Sequence, residues 1–241
     1  QGGGHDGRWK GLFRHKNTLG NFVAFLFPFI IGLSFVRSKT ILTKASSIVL
    51  GLLACLLLIQ VGSATSWVMV VAAIGGLTLS LLIRYTALKF WHYAAVFFLV
   101  AFIIIILRDN IFLLLGRSSD LTGRATIWVQ LVPMLKEKWF LGYGYLAFWD
   151  AVRLGVGDFN QQWANSLRFS HNSYLELMLS LGIIGLALFG AVLVLFIQKL
   201  VALTRVHNVA FATVGLMYVA TFIVHNLAES SIVEMGSLHW F

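Results

Sequence analysis

Six long apolar segments recur along the chain, and each is long enough to cross a lipid bilayer. They lie near residues 19–36, 45–62, 67–83, 93–107, 173–197 and 209–224. Hydrophobic residues make up 59% of the chain and charged residues only 11%, a composition that excludes an ordinary soluble domain. Helices satisfy their own backbone groups in lipid, and the segments are too long for barrel strands. The sequence therefore predicts an all-α polytopic membrane protein with about six transmembrane helices.

We treat residues 1–241 as one membrane domain, in which residues 108–172 form a long extracytoplasmic loop that carries short interfacial helices. The chain begins at Gln1, and its final residues resemble the start of another membrane segment. We therefore expect a fragment of a longer protein. Cys55, the only cysteine, lies in the second apolar segment, so the chain cannot form an internal disulfide or a cysteine metal cluster.

Three of the short loops between the apolar segments are basic and contain no acidic residue. Loops 37–44, 84–92 and 198–208 together hold seven lysine and arginine residues. By the positive-inside rule these loops face the cytoplasm. The N-terminal segment and the loop 108–172 then lie on the outer face of the membrane.

A basic cluster precedes the first apolar segment on this outer face. Its members are Arg8, Lys10, Arg14, His15 and Lys16. Lysine and arginine near helix ends commonly reach lipid headgroup phosphates, which is one interpretation. The alternative is a lipid substrate that carries a diphosphate, because arginine grips phosphate oxygens in pairs while lysine adds a compact charge.

A further basic residue, Arg124, stands at the start of a helical pattern in the long loop. Apolar residues recur there at helical spacing on one side, namely Trp128, Leu131, Val132, Leu135 and Trp139. We expect such a helix to lie on the membrane surface. Arg124 would then either face a site or sit among lipid headgroups.

His171 lies at the entrance of the fifth apolar segment. Residues 173–176 match a capping box, in which Glu176 would reach back to the start of the helix. His171 would then precede a helix N-terminus, whose positive end favours the neutral imidazole that a general base requires. An ordinary interfacial histidine is the alternative, and Gly182 and Gly185 could simply allow close packing of helices.

Taken in order, three segments resemble the O-antigen ligase and polysaccharide polymerase (Wzy-type) superfamily, most strongly its exopolysaccharide polymerases of the succinoglycan type. The first is residues 8–20, where an arginine, three residues and a leucine are followed by Lys16-Asn17. The second runs from Gly123-Arg124 to Trp128, with Gly-Tyr-Gly at 142–144. The third joins His171-Asn172 to Gly182 and Gly185.

This resemblance implies a GT-C-like membrane glycosyltransferase that needs no cofactor and no metal. It would transfer glycan from an undecaprenyl-diphosphate-linked oligosaccharide donor to a hydroxyl of an acceptor glycan, with inversion, at the periplasmic face of a bacterial inner membrane. His171 would be the general base, and Arg8 and Arg124 would handle the diphosphate. The further substrate-binding residues would be Arg14, His15, Lys16, Asn17 and Asn172.

Three alternatives remain open from the sequence. An O-antigen ligase would use a lipid A-core acceptor instead of a growing polymer. A transporter or flippase for anionic lipid-linked sugars would also need several spans, but the apolar segments contain almost no ionisable residue at membrane depth. A structural anchoring subunit would leave the basic cluster unexplained. The lipid bilayer is an expected partner in every case, and nucleic acid is not.

Overall fold

The computed structural model describes residues 8–13, 15–35, 40–86, 92, 124–155, 159–160, 165, 167–205 and 209–232. Within these ranges the regular elements are all helical. They are α1 (Lys16–Gly32), α2 (Ile41–Val61), α3 (Ala64–Tyr85), α4 (Arg124–Glu137), α5 (Ala147–Arg153), α6 (Ser173–Arg205) and α7 (Val209–Ala228), with a 3-10 turn at Leu33–Phe35.

Four of these helices, α2, α3, α6 and α7, are long and apolar enough to cross a membrane. The first predicted segment corresponds to α1, whose 17 residues extend about 25 Å. The predicted segment 93–107 lies outside the described residues. A polytopic helical membrane protein is therefore confirmed, whereas the count of six spans stays a prediction.

The chain divides into two compact units. One comprises Gln1–Ala87 with Val194–His225, and the other comprises Leu88–Leu193 with Asn226–Phe241. Helices α6 and α7 each contribute residues to both units.

In the first unit, α1, α2 and α3 share an apolar core with α7. The buried residues are Val23, Ala24, Phe25, Phe27, Ala54, Leu58, Met69, Val70, Ala73 and Met217. Many equally apolar side chains, including Leu53 and Ile59, remain exposed. Exposed leucine and isoleucine along a helix suit contact with lipid chains. Which apolar side chains of this unit are buried therefore depends on how the helices pack, and not on how apolar each residue is.

Local signals end one helix and begin the next in this unit. Gly62 follows α2 in the left-handed conformation, with φ 58°, and its N–H donates to the carbonyl of Leu58. The Ser63 hydroxyl then accepts a hydrogen bond from the N–H of Ser66 at the start of α3. Ser66 in turn donates to Asn21 Oδ1 over 3.0 Å in the buried interior, which ties α3 to α1.

In the second unit, α4 and α5 pack on the beginning of α6. The buried cluster consists of Ile127, Leu131, Met134, Phe148, Trp149, Val152, Phe159 and Leu179. The face predicted for α4 is partly wrong. Trp128 and Leu135 do pack against the cluster, but Val132 is exposed and Trp139 lies beyond the end of the helix. Helix α5 has no counterpart in the predicted pattern, and its Phe148 and Trp149 belong to the buried cluster that covers one face of α4.

Candidate functional site

His171 is an exposed residue held between two buried ones. Ser170 is fully buried and Asn172 is 9% exposed, whereas the side chain of His171 is 42% exposed. The backbone of His171 has φ 55°, in the left-handed region that is uncommon outside glycine and that asparagine, aspartate and histidine adopt more often than other residues. This turn projects the imidazole outward while both neighbours stay anchored.

Ser170 is fixed by direct contacts to two helices of the second unit, α4 and α6. Its carbonyl accepts a hydrogen bond from Trp128 Nε1 of α4 over 2.9 Å, and its N–H donates to Glu176 Oε2 of α6 over 2.8 Å. The other oxygen of Glu176 accepts from Trp149 Nε1 of α5 over 2.7 Å. The buried carboxylate of Glu176 therefore joins α5, α6 and the residue that precedes His171.

The predicted capping box is wrong in its details. Asn172 is the residue that caps α6, because its Oδ1 accepts hydrogen bonds from the N–H groups of Tyr174 and Leu175 over 3.0 and 3.2 Å. Glu176 does not return to the first residue of the helix. Its carboxylate is drawn further back, to Ser170, because Trp149 and the Ser170 N–H offer two buried donors at that place.

The segment that follows α7 is tied to the first turn of α6. The carbonyl of Glu229 accepts a hydrogen bond from the Ser173 N–H over 3.0 Å, and the Ser173 hydroxyl lies 2.8 Å from the same oxygen. The Ser230 hydroxyl accepts from the Asn172 N–H over 3.1 Å. These contacts hold the chain around Glu229 directly beside His171.

Glu229 contacts both a predicted base and a predicted diphosphate ligand. Its Oε1 lies 3.4 Å from Arg124 Nη2, and its Oε2 lies 3.8 Å from His171 Nδ1. Sequence reasoning missed Glu229 because it lies 58 positions after His171 in the chain and no short motif connects the two. A proton acceptor, a cation and a carboxylate are thus grouped within one unit, an arrangement suited to proton transfer beside an anionic group.

Helix α6 is interrupted at Gly182, which has φ 63° and ψ −162°. The carbonyls of Leu179 and Ser180 accept hydrogen bonds from the N–H groups of Tyr143 and Gly144, over 2.7 and 3.0 Å. Beyond the break, the Ile183 N–H donates to the Trp139 carbonyl over 2.8 Å. Gly182 therefore allows the close approach of a loop and not of a second helix, because residues 139–144 lie against the break in α6.

The basic residues predicted near the N-terminus belong to the first unit. Arg8 Nη1 donates to the Gly62 carbonyl over 2.9 Å, as a cation at the C-terminal end of α2. His15 immediately precedes α1, and Lys16 and Asn17 form its first turn. Arg14 lies outside the described residues. The structure therefore brings His171, Asn172 and Arg124 together in one unit and places Arg8, His15, Lys16 and Asn17 in the other.

Comparison with known proteins gives two similarities. A family model described as O-antigen ligase matches residues 22–190, a range that includes Arg124 and His171. The exopolysaccharide production protein ExoQ of Rhizobium meliloti (strain 1021) is 32% identical over an alignment of 198 residues, which covers 76% of this chain and 45% of that protein. The chain thus spans somewhat less than half the length of this relative.

Proposed function

Because the chain belongs to the O-antigen ligase family, we propose that it forms part of a membrane glycosyltransferase that polymerises polysaccharide repeat units. The donor is an oligosaccharide linked to undecaprenyl diphosphate, and the acceptor is a hydroxyl of a second glycan at the periplasmic face of the inner membrane. The name of the similar Rhizobium protein, an exopolysaccharide production protein, favours chain extension. The description of the family favours the second candidate, ligation of glycan to a lipid A-core acceptor.

In this proposal His171 takes the proton of the acceptor hydroxyl as its oxygen attacks the anomeric carbon of the donor. The bond between that carbon and the diphosphate oxygen breaks, and the diphosphate leaves with the electron pair. One displacement inverts the anomeric centre. General-base assistance of this kind contributes roughly 10² to 10⁴ in rate. Positioning of the two lipid-anchored or polymeric partners contributes further.

Arginine side chains offset the charge that develops on the departing diphosphate. Arg124 is the candidate in the unit that contains His171, and its side chain is 17% exposed, so its charge is only partly screened by water. Arg8, with Arg14, His15, Lys16 and Asn17, is proposed to bind the remaining phosphate and sugar groups. The Oδ1 of Asn172 already caps α6, so a substrate contact by Asn172 would use Nδ2.

A single observation carries the proposal: His171 and Arg124, predicted from separate segments, lie on either side of one carboxylate, that of Glu229. A base and an anion-binding cation are the two groups that transfer from a diphosphate donor requires. Their distances to that carboxylate are 3.8 and 3.4 Å. A transporter of lipid-linked sugars has no comparable need for a base placed beside an arginine.

The decisive experiment uses the full-length protein in nanodiscs with undecaprenyl-diphosphate oligosaccharide and an acceptor glycan. His171→Ala is expected to lower the transfer rate at least about 10²-fold with normal insertion. His92→Ala, in a loop predicted to be cytoplasmic, is the matched control and is expected to keep the wild-type rate. Full activity of His171→Ala would remove the base assignment.

Three further measurements define the reaction. Prolonged chelation is expected to leave the rate unchanged, and loss of activity that Mg²⁺ restores would contradict a metal-independent transfer. Polymer length on the carrier lipid, compared with transfer to lipid A-core, distinguishes polymerisation from ligation. Movement of the donor across the bilayer without formation of a glycosidic bond would overturn the proposal in favour of a flippase.

A further inference from the structure

Glu229 presents one carboxylate to two functional side chains. Its Oε1 faces Arg124 Nη2 at 3.4 Å, and its Oε2 faces His171 Nδ1 at 3.8 Å. The side chain of Glu229 is 27% exposed, less than that of His171. A half-buried carboxylate at this position interacts more strongly with both partners than one in open water would.

The backbone around Glu229 is fixed by the residues that also fix His171. Ser173, two positions after His171, donates its N–H to the Glu229 carbonyl. Asn172, the immediate neighbour of His171, donates its N–H to Ser230, the immediate neighbour of Glu229. The two side chains therefore approach each other across two short, hydrogen-bonded segments, and their separation does not depend on a flexible linker.

We propose that Glu229 is a positioning residue: it holds His171 with Nδ1 protonated and Nε2 directed to the acceptor hydroxyl, and it holds the Arg124 guanidinium in place. This inference rests on the proposed function. Ionised carboxylates only accept hydrogen bonds, and a neutral imidazole carries one N–H, so the proton is favoured on the nitrogen that faces the carboxylate. Nε2 is then the proton acceptor.

The carboxylate also stabilises the imidazolium that forms once His171 has taken the proton. The 3.8 Å separation is longer than a hydrogen bond. Shortening of catalytic contacts on substrate binding is common, so the resting distance is compatible with this role. Arg124, paired with the other carboxylate oxygen, holds the carboxylate in its orientation toward His171.

Three variants of Glu229, compared with His171→Ala and with one control variant, test the role of Glu229 in the full-length protein in nanodiscs. Glu229→Gln keeps the size of the side chain and removes its charge, and kcat is expected to fall about 10²-fold while KM for the acceptor changes little. Glu229→Asp is expected to retain part of the activity. Glu229→Ala is expected to regain activity when formate is added, whereas His171→Ala is not. Asp150→Asn, an exposed acid paired with Arg153, is the matched control and should keep the wild-type rate.

A spectroscopic measurement separates positioning from a purely structural role. With ¹⁵N-labelled histidine, the His171 signals are assigned by their absence in His171→Gln. The wild-type protein is expected to show the Nδ1-protonated tautomer, and Glu229→Gln is expected to shift the population toward the Nε2-protonated form. A structural role alone would not be rescued by formate.

The outcomes distinguish this inference from the function on which it rests. Wild-type activity of His171→Ala overturns the proposed function. An inactive His171→Ala together with a fully active Glu229→Gln and an unchanged tautomer overturns only the role of Glu229. If Glu229→Gln fails to fold, as judged by size-exclusion chromatography, the Asp variant and formate rescue of the Ala variant decide the question. Lack of both partial activity and rescue counts against the inference.

Discussion

Gly182 in α6 and Phe140 in the loop after α4 are in direct backbone contact. A Cβ atom at position 182 would lie 2.6 Å from the Leu141 nitrogen and closer still to the Phe140 carbonyl. The φ and ψ angles of Gly182, 63° and −162°, also fall in a region that is essentially restricted to glycine. Two independent reasons, space and backbone conformation, therefore require glycine at this position.

Gly182→Ala is expected to destabilise the protein by more than about 1–3 kcal/mol, because it combines backbone strain with steric overlap. The matched control is Gly190→Ala in the same helix, where an added Cβ would meet no neighbouring atom within 4 Å. Alanine is a better helix former than glycine, so the control is expected to be neutral or slightly stabilising. Thermal unfolding in detergent gives the midpoint of each variant. Equal midpoints for the two variants would contradict the requirement for glycine at the break in α6.

Trp149 and Glu176 are expected to be energetically coupled. Trp149→Phe removes the buried N–H donor to Glu176 Oε1 and should lower the free energy of unfolding by about 1–3 kcal/mol. Glu176→Gln also weakens the acceptor for the Ser170 N–H and should slow transfer by loosening the chain beside His171. A double-mutant cycle in unfolding free energy measures the coupling. Strictly additive effects of the two substitutions would show that the contact contributes little.

Arg8 is expected to affect donor binding. Loss of a charge-assisted contact to the diphosphate is worth about 1.5–3 kcal/mol, so Arg8→Ala should raise KM for the lipid-linked donor roughly 10- to 100-fold. Lys44→Ala, which removes a cation from a loop predicted to be cytoplasmic, is the control and should change KM less than twofold. If Arg8→Ala lowers only the unfolding midpoint and leaves KM unchanged, the contact with the Gly62 carbonyl is its whole role.

Tyr143 is expected to make stability fall at alkaline pH. Burial, with a smaller effect of Glu137, raises the pKa of Tyr143 from 10.0 to about 12. Between these pH values the unfolded state has released the phenolic proton that the folded state still binds, so the free energy of unfolding decreases as the pH rises. Tyr143→Phe removes this dependence but also the hydrogen bond from the phenol to the Met134 carbonyl.

The difference in unfolding free energy between the wild type and Tyr143→Phe should therefore narrow as the pH increases through this interval. Chemical denaturation at a series of pH values measures the difference. Glu137→Gln should weaken the pH dependence only in part, because burial is the larger cause. A difference that stays constant with pH would mean that Tyr143 ionises alike in both states.

The helical membrane architecture could be predicted from the sequence because it depends on a property summed over many residues. Any 20-residue apolar stretch must satisfy its backbone in lipid, whichever side chains meet inside the protein. His171 and Arg124 could be selected because residues of their type stand at recognisable places in the three ordered segments. Their roles stay proposals.

The contacts that organise the site could not be predicted in the same way. Glu176 matched a capping box, yet its buried oxygens bind Trp149 and Ser170, since burial favours whichever donors the fold brings near. Val132 fitted the apolar stripe of α4, yet it is exposed, because α5 packs against a different face. The break in α6 depends on residues 139–144, about 40 positions earlier in the chain.

By itself, the amino-acid sequence determined that this chain folds into apolar helices. It also fixed the positions of the basic residues that precede these helices and of the histidine at the entrance of one of them. Only the tertiary structure decided that Glu229 meets both His171 and Arg124. The physical reason is the range of the interactions involved. Hydrophobic transfer and helix propensity act along the chain and can be summed from composition. The contacts of one carboxylate with two partners, or of a loop with the break in a helix, depend instead on distances of a few ångströms between residues far apart in the chain.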